Sequence, residues 1–202
     1  MSELSSLAAT IFKRAGSAQR FIVAVAGPPA SGKSTRAEEL VKVFPEGDAA
    51  LVPMDGFHYD DAVLDALGLR QRKGAPETFD FGGFFSLLQR LKAREPNVAV
   101  PRFDRGMELS RNAAALVPAE ARFIIVEGNY LLLDEDPWRS LAPLFDFTVF
   151  VDVDRAELER RLIQRWREHG RDDAAAQRWI AGNDMPNVER VQGSRRKADL
   201  VI

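Results

Sequence analysis

The feature that most constrains this chain is a six-residue apolar run, Phe21–Ala26, which leads directly into the loop Gly27–Thr35, of sequence GPPASGKST. A run that is apolar at every position is typical of a strand buried on both faces of a parallel sheet. The loop fits the spacing G-x-x-x-x-G-K-S/T, and a helical pattern begins at Lys33. A strand, a glycine loop and a helix in this order predict that backbone N–H groups surround a phosphate group.

Apolar runs alternate with helical periodicity along the rest of the chain, which predicts an α/β fold with a parallel sheet. Further strands are expected near Leu51–Met54, Val98–Pro101, Phe123–Val126, Phe147–Val151 and Leu200–Ile202. Helices are expected at Leu4–Arg14, Lys33–Phe44, Asp61–Leu67, Phe84–Ala93, Arg155–His169 and Asp172–Ala181. Because 202 residues suffice for one ordinary domain, we predict a single domain over 1–202, with a substrate-side insertion at about 56–105 and a lid at about 155–182.

Composition excludes several classes of function. Lysine and arginine total 28 against 30 acidic residues, so the chain has no overall positive field with which to bind nucleic acid. The absence of cysteine excludes disulfides and thiolate metal sites, and two histidines alone do not make a zinc site. No apolar run approaches the roughly 20 residues of a membrane span, and no signal pattern is present. We therefore expect a cytoplasmic protein that does not associate with membranes.

The phosphate loop predicts how a nucleotide is held. Lys33 is expected to reach the β- and γ-phosphates, and the Ser34 hydroxyl is expected to bind Mg²⁺. Thr35 either packs within the helix or contacts a phosphate. The remaining loop residues expected to contact ATP are Gly27, Ala30, Ser31 and Gly32. This motif is shared by kinases and other NTPases, so alone it does not separate the two.

Two carboxylates are expected at the same edge of the sheet as the phosphate loop. Asp55 follows the second strand and is our candidate for the base that accepts the proton of an attacking hydroxyl, although Asp55-Gly56 is also an ordinary turn pair. Glu127 follows the strand Phe123–Val126 and is expected to bind a magnesium water, unless it is an incidental acid at a strand end. His58 either contacts substrate or is a structural donor.

Arginines are concentrated between residues 155 and 171, which resembles a lid that closes over transferring phosphate. The alternative is a solvated helix face with surface ion pairs to neighbouring glutamates. The segment Asn183–Asn187 is expected either to flank the adenine, with Asn187 contacting the nucleotide, or to form an ordinary turn. Arg102, Asp104 and Arg105 are expected either to meet a polar substrate or to form a surface ion cluster.

Several motifs together resemble the uridine kinase, pantothenate kinase and phosphoribulokinase family of P-loop kinases. They are GPPASGKST, MDGFH, KGAPETFDF, VPRFDR, IVEGNYLLL, ERRLIQRWREHGRD and NDMPNVERV, and they span nearly the whole chain. Within the family the chain is similar to short bacterial members usually called fructose transport system kinase or fructokinase. The resemblance implies a three-layer P-loop NTPase fold, with a five-stranded parallel sheet flanked by helices and a small lid. It also implies a homodimer.

The resemblance also implies roles for particular residues. Asp55 is the catalytic base, and Arg161 and Arg171 contact phosphate from the lid. Gln164 stands where several uridine kinases have another arginine, and Arg165 is the neighbouring residue able to replace it. The side chains implied at the acceptor site are His58, Phe79, which belongs to a segment that starts a helix beside the substrate, and Asn129, which follows Glu127 at the strand end.

These features predict an enzyme that moves the γ-phosphoryl group of MgATP to an alcohol group of a small molecule. A sugar such as fructose is the first candidate acceptor, and a nucleoside such as uridine, or pantothenate, is the alternative. The phenylalanines at 79, 81, 84 and 85 form either a base pocket or core. A regulatory NTPase that phosphorylates no metabolite is the alternative from another class.

Overall fold

The computed structural model describes residues 3–168, 170 and 172–202. Its strands are β1 Phe21–Ala26, β2 Ala49–Pro53, β3 Val98–Asp104, β4 Leu109–Val117, β5 Phe123–Gly128, β6 Phe147–Phe150 and β7 Leu200–Val201. Its α-helices are α1 Glu3–Ala15, α2 Lys33–Val43, α3 Asp61–Ala66, α4 Phe81–Lys92, α5 Arg155–Glu168, α6 Asp173–Trp179 and α7 Met185–Gly193. None of the helices in these ranges is long and apolar enough to cross a bilayer.

Five strands form one parallel sheet in the order β2-β5-β1-β6-β7, which confirms the predicted fold class. Strands β1 and β5 lie inside the sheet and are buried at every residue. The alternation of side chains along these strands divides the core into two layers. One layer, which includes Ile22 and Ile124, packs against α4 and α7, and the other, which includes Val23 and Ile125, packs against α1 and α2. Helices on both faces make the three-layer arrangement.

The region expected to form an insertion contains an element that was not predicted. Strands β3 and β4 form an antiparallel hairpin, separate from the parallel sheet, that extends past residue 105 to Val117. Sequence reasoning missed β4 because its sequence, LSRNAAALV, does not alternate regularly between apolar and polar residues and most of its residues are exposed or half-buried. Strand β2 ends at Pro53, and Asp55 lies in the 3₁₀ turn Met54–Phe57 rather than at the strand end.

The segment Asn183–Asn187 is helical, so the predicted loop beside the adenine is wrong. A π-helical turn, Ile180–Asp184, runs directly into α7. Pro186 lies in the first turn of α7, where a missing backbone N–H costs no hydrogen bond. The proline therefore marks the start of a helix and not a break in the chain.

Gly56 allows the Asp55 turn to pack against the hairpin. A Cβ atom at this position would overlap the backbone carbonyl of Pro101 in β3. We expect Gly56→Ala to lower the free energy of unfolding by about 1–3 kcal/mol, the usual cost of overpacking. Gly193→Ala is the matched control because a Cβ there meets nothing within 4 Å. Equal denaturation midpoints for the two variants would contradict a close packing contact between Gly56 and the hairpin.

Candidate active site

The phosphate loop and the two predicted carboxylates meet at one edge of the sheet. In the register of the parallel strands, Glu127 of β5 lies beside both Pro53 of β2 and Val25 of β1. Asp55 is two residues beyond Pro53, and the phosphate loop begins two residues beyond Val25. Since the carboxyl ends of parallel strands point the same way, both acids and the loop face the same space.

The phosphate loop has the backbone that its glycines predict. Gly32 has a φ of 86°, a left-handed conformation that glycine adopts without steric cost, and it stands immediately before α2. Lys33 begins that helix and is buried. Burial lowers the pKa of the Lys33 ammonium group, while Glu127 and Asp55 act in the opposite direction. The loop thus places a cation and a helix N-terminus together, as binding of an anion requires.

Ser34 and Glu127 form an oxygen pair beside the loop. The Ser34 hydroxyl donates a hydrogen bond of 3.0 Å to Oε2 of Glu127. Burial, with a smaller contribution from Asp55, raises the pKa of Glu127 to about 7, against the lowering effects of Lys33 and Ser34. A hydroxyl and a carboxylate are hard oxygen ligands of the kind that Mg²⁺ takes in proteins. The pair therefore fits a magnesium ion that completes its coordination with phosphate and water.

The raised pKa of Glu127 predicts a pH-dependent stability in the absence of nucleotide. In the folded protein Glu127 keeps its proton up to about pH 7, whereas in the unfolded chain it loses the proton near 4.5. The folded state therefore becomes less stable as pH rises from about 4.5 to 7, by up to roughly 3 kcal/mol. Glu127→Gln cannot ionise, so we expect this variant to be more stable than wild type at pH 8 and similar at pH 5. A constant difference in unfolding free energy across this range would contradict the assignment.

Asp55 is paired with an arginine from the hairpin. Nη2 of Arg105 lies 2.6 Å from Oδ2 of Asp55. Burial alone would raise the pKa of Asp55, but the electrostatic effects of His58, Arg105, Lys33 and Arg165 outweigh burial and hold the pKa below its ordinary value. At neutral pH Asp55 is therefore a carboxylate, the form that a proton acceptor requires.

His58 is held in one orientation beside Asp55. Its Nδ1 lies 2.8 Å from the backbone carbonyl oxygen of Asp55, so Nδ1 carries a proton. Its ring packs against Phe79 and Phe103, with centroid distances of 4.1 and 4.8 Å. Burial lowers the pKa of the imidazole, although Asp55 acts to raise it. The His58 side chain lines the same cavity as Asp55.

A cavity of about 600 Å³ connects these groups. Its lining includes loop residues, hairpin residues and residues of the predicted lid. They are Pro29, Ala30, Gly32, Lys33, Ser34, Thr35, Asp55, His58, Arg70, Lys73, Gly74, Phe103, Arg105, Gly106, Glu108, Asn129, Arg165, Trp166, Trp179, Asp184 and Asn187. The cavity is therefore polar and charged, and large enough for a small metabolite beside a terminal phosphate.

Arg165 and Arg161, one helical turn apart on α5, occupy different places. Arg165 lines the cavity, and burial lowers the pKa of its guanidinium group. Arg161 donates to Glu157 at 2.7 Å and to the phosphate-loop carbonyls of Ala30 and Ser31, each at 3.3 Å. Its carbonyl contacts hold the loop from outside the cavity. Arg171, the other arginine predicted to contact phosphate, lies outside the described residues.

Three residues predicted at the acceptor site do not line this cavity. Arg102 is exposed on β3. Asp104 accepts hydrogen bonds from the backbone N–H groups of Gly106 and Met107, and thereby stabilises the hairpin turn. Phe79 is 3% exposed and packs in the core behind His58. Arg105, also predicted to meet a polar substrate, does line the cavity, because the turn that Asp104 stabilises directs it towards Asp55.

Two asparagines predicted from sequence do line the cavity. Asn129 follows β5, and Asn187 lies in the first turns of α7. The side-chain oxygen of each is buried and, among the residues that the structure describes, has no hydrogen-bond partner. A buried oxygen without a donor is unfavourable, so both positions would be stabilised by a ligand that donates hydrogen bonds.

Sequence reasoning missed other residues of the cavity. Glu108 carried no signal, because a charged residue in a turn looks like ordinary surface, and Asp184 was considered only as part of the segment Asn183–Asn187. Trp166 and Trp179 also line the cavity, and Nε1 of Trp166 donates to Asp184 at 2.6 Å. Only folding of α5 and α6 against each other brings these side chains to the phosphate loop.

The phenylalanines considered for a base pocket belong to the core. Phe81 and Phe84 pack against Trp138, with ring centroids 5.3 and 6.3 Å apart, and Phe81 stacks on Phe85. Phe84 and Trp138 are almost fully buried. None of these side chains lines the cavity described above.

The chain is similar to members of a kinase family. Residues 22–202 match the phosphoribulokinase/uridine kinase family. A solved structure from Silicibacter sp. TM1040, provisionally named a fructose transport system kinase, is 41% identical, covers 100% of both chains and has a TM-score of 0.92. The uncharacterized protein YggC of Escherichia coli K12 is 39% identical over 188 residues, or 91% of this chain and 78% of YggC. A protein of Schizosaccharomyces pombe, provisionally named a uridine kinase, is 32% identical over 196 residues, or 91% of this chain and 83% of that protein.

Proposed function

This chain belongs to the phosphoribulokinase/uridine kinase family and is an ATP-dependent kinase, and we propose that it transfers the γ-phosphoryl group of MgATP to an alcohol group of a sugar. The observation that carries this proposal is the position of Asp55 in the same cavity as Lys33 and Ser34 of the phosphate loop. A carboxylate across from a bound γ-phosphate is what a kinase needs in addition to a nucleotide site.

The nucleotide has room on both sides of the phosphate loop. A second groove, of about 530 Å³, is lined by Arg36, Val153 and Arg161 and shares Gly32 and Thr35 with the main cavity. We place the adenosine of ATP in this groove and its γ-phosphate in the main cavity. This placement moves Asn187 from the adenine to the γ-phosphate and acceptor side, because Asn187 lines only the main cavity of the two.

Each cavity residue then has a defined task in the transfer. Asp55 orients the acceptor hydroxyl and takes its proton as the oxygen forms a bond to the γ-phosphorus and the bond to the bridging oxygen of ADP breaks. Lys33 and Arg165 neutralise the charge that develops on the phosphoryl oxygens. Ser34 and Glu127 would hold Mg²⁺, the serine directly and the glutamate through water, and the bound ion supplies further charge neutralisation.

A sugar is the acceptor that the observations favour. The two buried asparagine oxygens require hydrogen-bond donors, and sugar hydroxyls supply them. The relative from Silicibacter, similar over the whole chain, is provisionally named for fructose transport, which makes fructose the first sugar to test. A nucleoside is less favoured because the phenylalanines that would have formed a base pocket pack in the core. Pantothenate remains the other acceptor to compare.

The test is ADP release from MgATP over a panel of fructose and other sugars, sugar acids, sugar phosphates, uridine, cytidine and pantothenate. We expect a sugar or sugar derivative to raise turnover well above the rate with ATP alone. A strong response to uridine or pantothenate instead would replace the sugar by that acceptor. Tight ATP binding without stimulation by any compound would favour a regulatory NTPase.

A further inference from the structure

We propose that Arg105 selects acceptors that carry an anionic group, so that the substrate is an acidic derivative of a sugar, either a sugar acid or a sugar phosphate. This inference rests on the proposed kinase function and narrows its substrate class. The hairpin turn between β3 and β4 then contributes to specificity, because Arg105 exchanges its partner Asp55 for the anionic group of the acceptor.

The position of Arg105 supports a ligand contact. Its guanidinium group reaches from the hairpin into the cavity, pairs with Asp55 at 2.6 Å and lies over the ring of Phe103, 5.4 Å from the centroid. The Arg105 side chain is 48% exposed, whereas that of Asp55 is 23% exposed. The arginine thus stands at the open side of the ion pair, where an incoming molecule meets it first.

The ion pair conflicts with the task of Asp55. A carboxylate that accepts a short hydrogen bond from a guanidinium is a weaker base for a hydroxyl proton, in line with the lowered pKa of Asp55. Asp55 regains its basicity when Arg105 turns away from it and pairs with another group. An anionic group on the acceptor provides that partner, so the guanidinium stays paired while the carboxylate is released. A neutral sugar offers no such exchange.

The other cations of the cavity are engaged elsewhere. Arg70 and Lys73 both pair with Asp61, at 2.6 and 2.8 Å. Lys33 and Arg165 are assigned to the phosphates of ATP in the proposed mechanism. Among the cavity arginines that the structure describes, Arg105 is thus the one paired with Asp55, the carboxylate that has to be free during the reaction.

The separation of the two groups limits the size of the acceptor. The acceptor hydroxyl has to contact Asp55 while the anionic group contacts Arg105, whose guanidinium group starts from its contact with Asp55 and moves only within the reach of one side chain. The hydroxyl and the acid group therefore belong to one small molecule. Compact sugar acids and sugar monophosphates meet this requirement, whereas an acid group at the end of a long chain does not.

The test compares charged and neutral acceptors in wild type, Arg105→Gln and Arg105→Lys. Fructose, gluconate, fructose 1-phosphate and fructose 6-phosphate are the probes, with ADP release and product mass as readouts. Comparison of gluconate with the two fructose phosphates shows whether the recognised group is a carboxylate or a phosphate. Arg111→Gln is the matched control, because Arg111 is on the same hairpin and pairs with Asp104 outside the cavity.

We expect wild type to use at least one anionic probe with kcat/KM about 10-fold or more above that for fructose. Arg105→Gln should raise KM for that probe about 10- to 100-fold, the usual effect of losing a charged hydrogen bond, and leave KM for fructose within about threefold. Arg105→Lys should keep the preference for the anionic probe, and Arg111→Gln should behave as wild type. ATP affinity and melting temperature check that each variant is folded.

The results distinguish a failure of the role proposed for Arg105 from a failure of the kinase proposal. Fructose phosphorylated as well as or better than every anionic probe, or an equal loss for charged and neutral probes in Arg105→Gln, would overturn the role of Arg105 and leave the kinase proposal intact. Absence of any stimulated ADP release in wild type, with ATP bound, would overturn both.

Discussion

Lys33→Ala is expected to lower kcat by about 10³-fold or more, because it removes a fixed positive charge from the centre of the phosphate site. Lys33 is buried at the start of α2 and lines the cavity beside Ser34 and Asp55. A buried ammonium group is already oriented and poorly hydrated, so its charge acts on the transferred phosphate at little cost of reorganisation. Steady-state ADP release with the best acceptor of the panel measures the effect.

Lys42→Ala is the matched control for this variant. Lys42 is in the last turn of the same helix, and it is exposed. The control should keep wild-type kcat and melting temperature. If Lys33→Ala were folded, bound ATP and lost no more than a few-fold of kcat, the phosphate loop would not be the site of transfer.

Asp55→Asn is expected to lower kcat by about 10²- to 10⁴-fold, the usual contribution of a general base, with ATP affinity nearly unchanged. The asparagine keeps the shape of the side chain but cannot take the hydroxyl proton. It also removes the charge that holds Arg105, so an anionic acceptor should bind this variant at least as tightly as wild type. A fall in kcat without a rise in the Kd of the acceptor separates loss of the base from loss of binding.

Asp65→Asn on α3 is the control, since Asp65 is exposed and does not line the cavity. It should retain wild-type kinetics. Full turnover in Asp55→Asn, with unchanged ATP binding, would remove Asp55 from the mechanism and direct attention to Glu127 beside the phosphate loop and to Glu108 and Asp184 in the cavity.

Local patterns in the sequence predict the part of the site that comes from the sheet edge. Lys33 and Asp55 come shortly after β1 and β2, and Glu127 lies near the end of β5. Parallel strands of one sheet bring their carboxyl ends to the same edge. Apolar runs bounded by turns predict a parallel sheet, whereas the number of five strands is what the resemblance to the kinase family implies.

The acceptor side was harder to predict because tertiary packing decides it. Arg102 and Arg105 are only three positions apart in the sequence. The turn stabilised by Asp104 determines which of the two enters the cavity. Likewise, Arg161 and Arg165 are one turn apart on the same helix. The docking of α5 beside the phosphate loop gives the two arginines different roles. Strand β4 lacks the regular alternation of apolar and polar residues that would predict a half-buried strand.

³¹P NMR of the reaction with the most active acceptor shows directly whether the γ-phosphoryl group of ATP passes to an alcohol group. We expect a new phosphomonoester signal that grows in step with ADP and that forms at least about 10²-fold more slowly with Asp55→Asn. Inorganic phosphate in step with ADP, with no phosphomonoester from any acceptor of the panel, would contradict it.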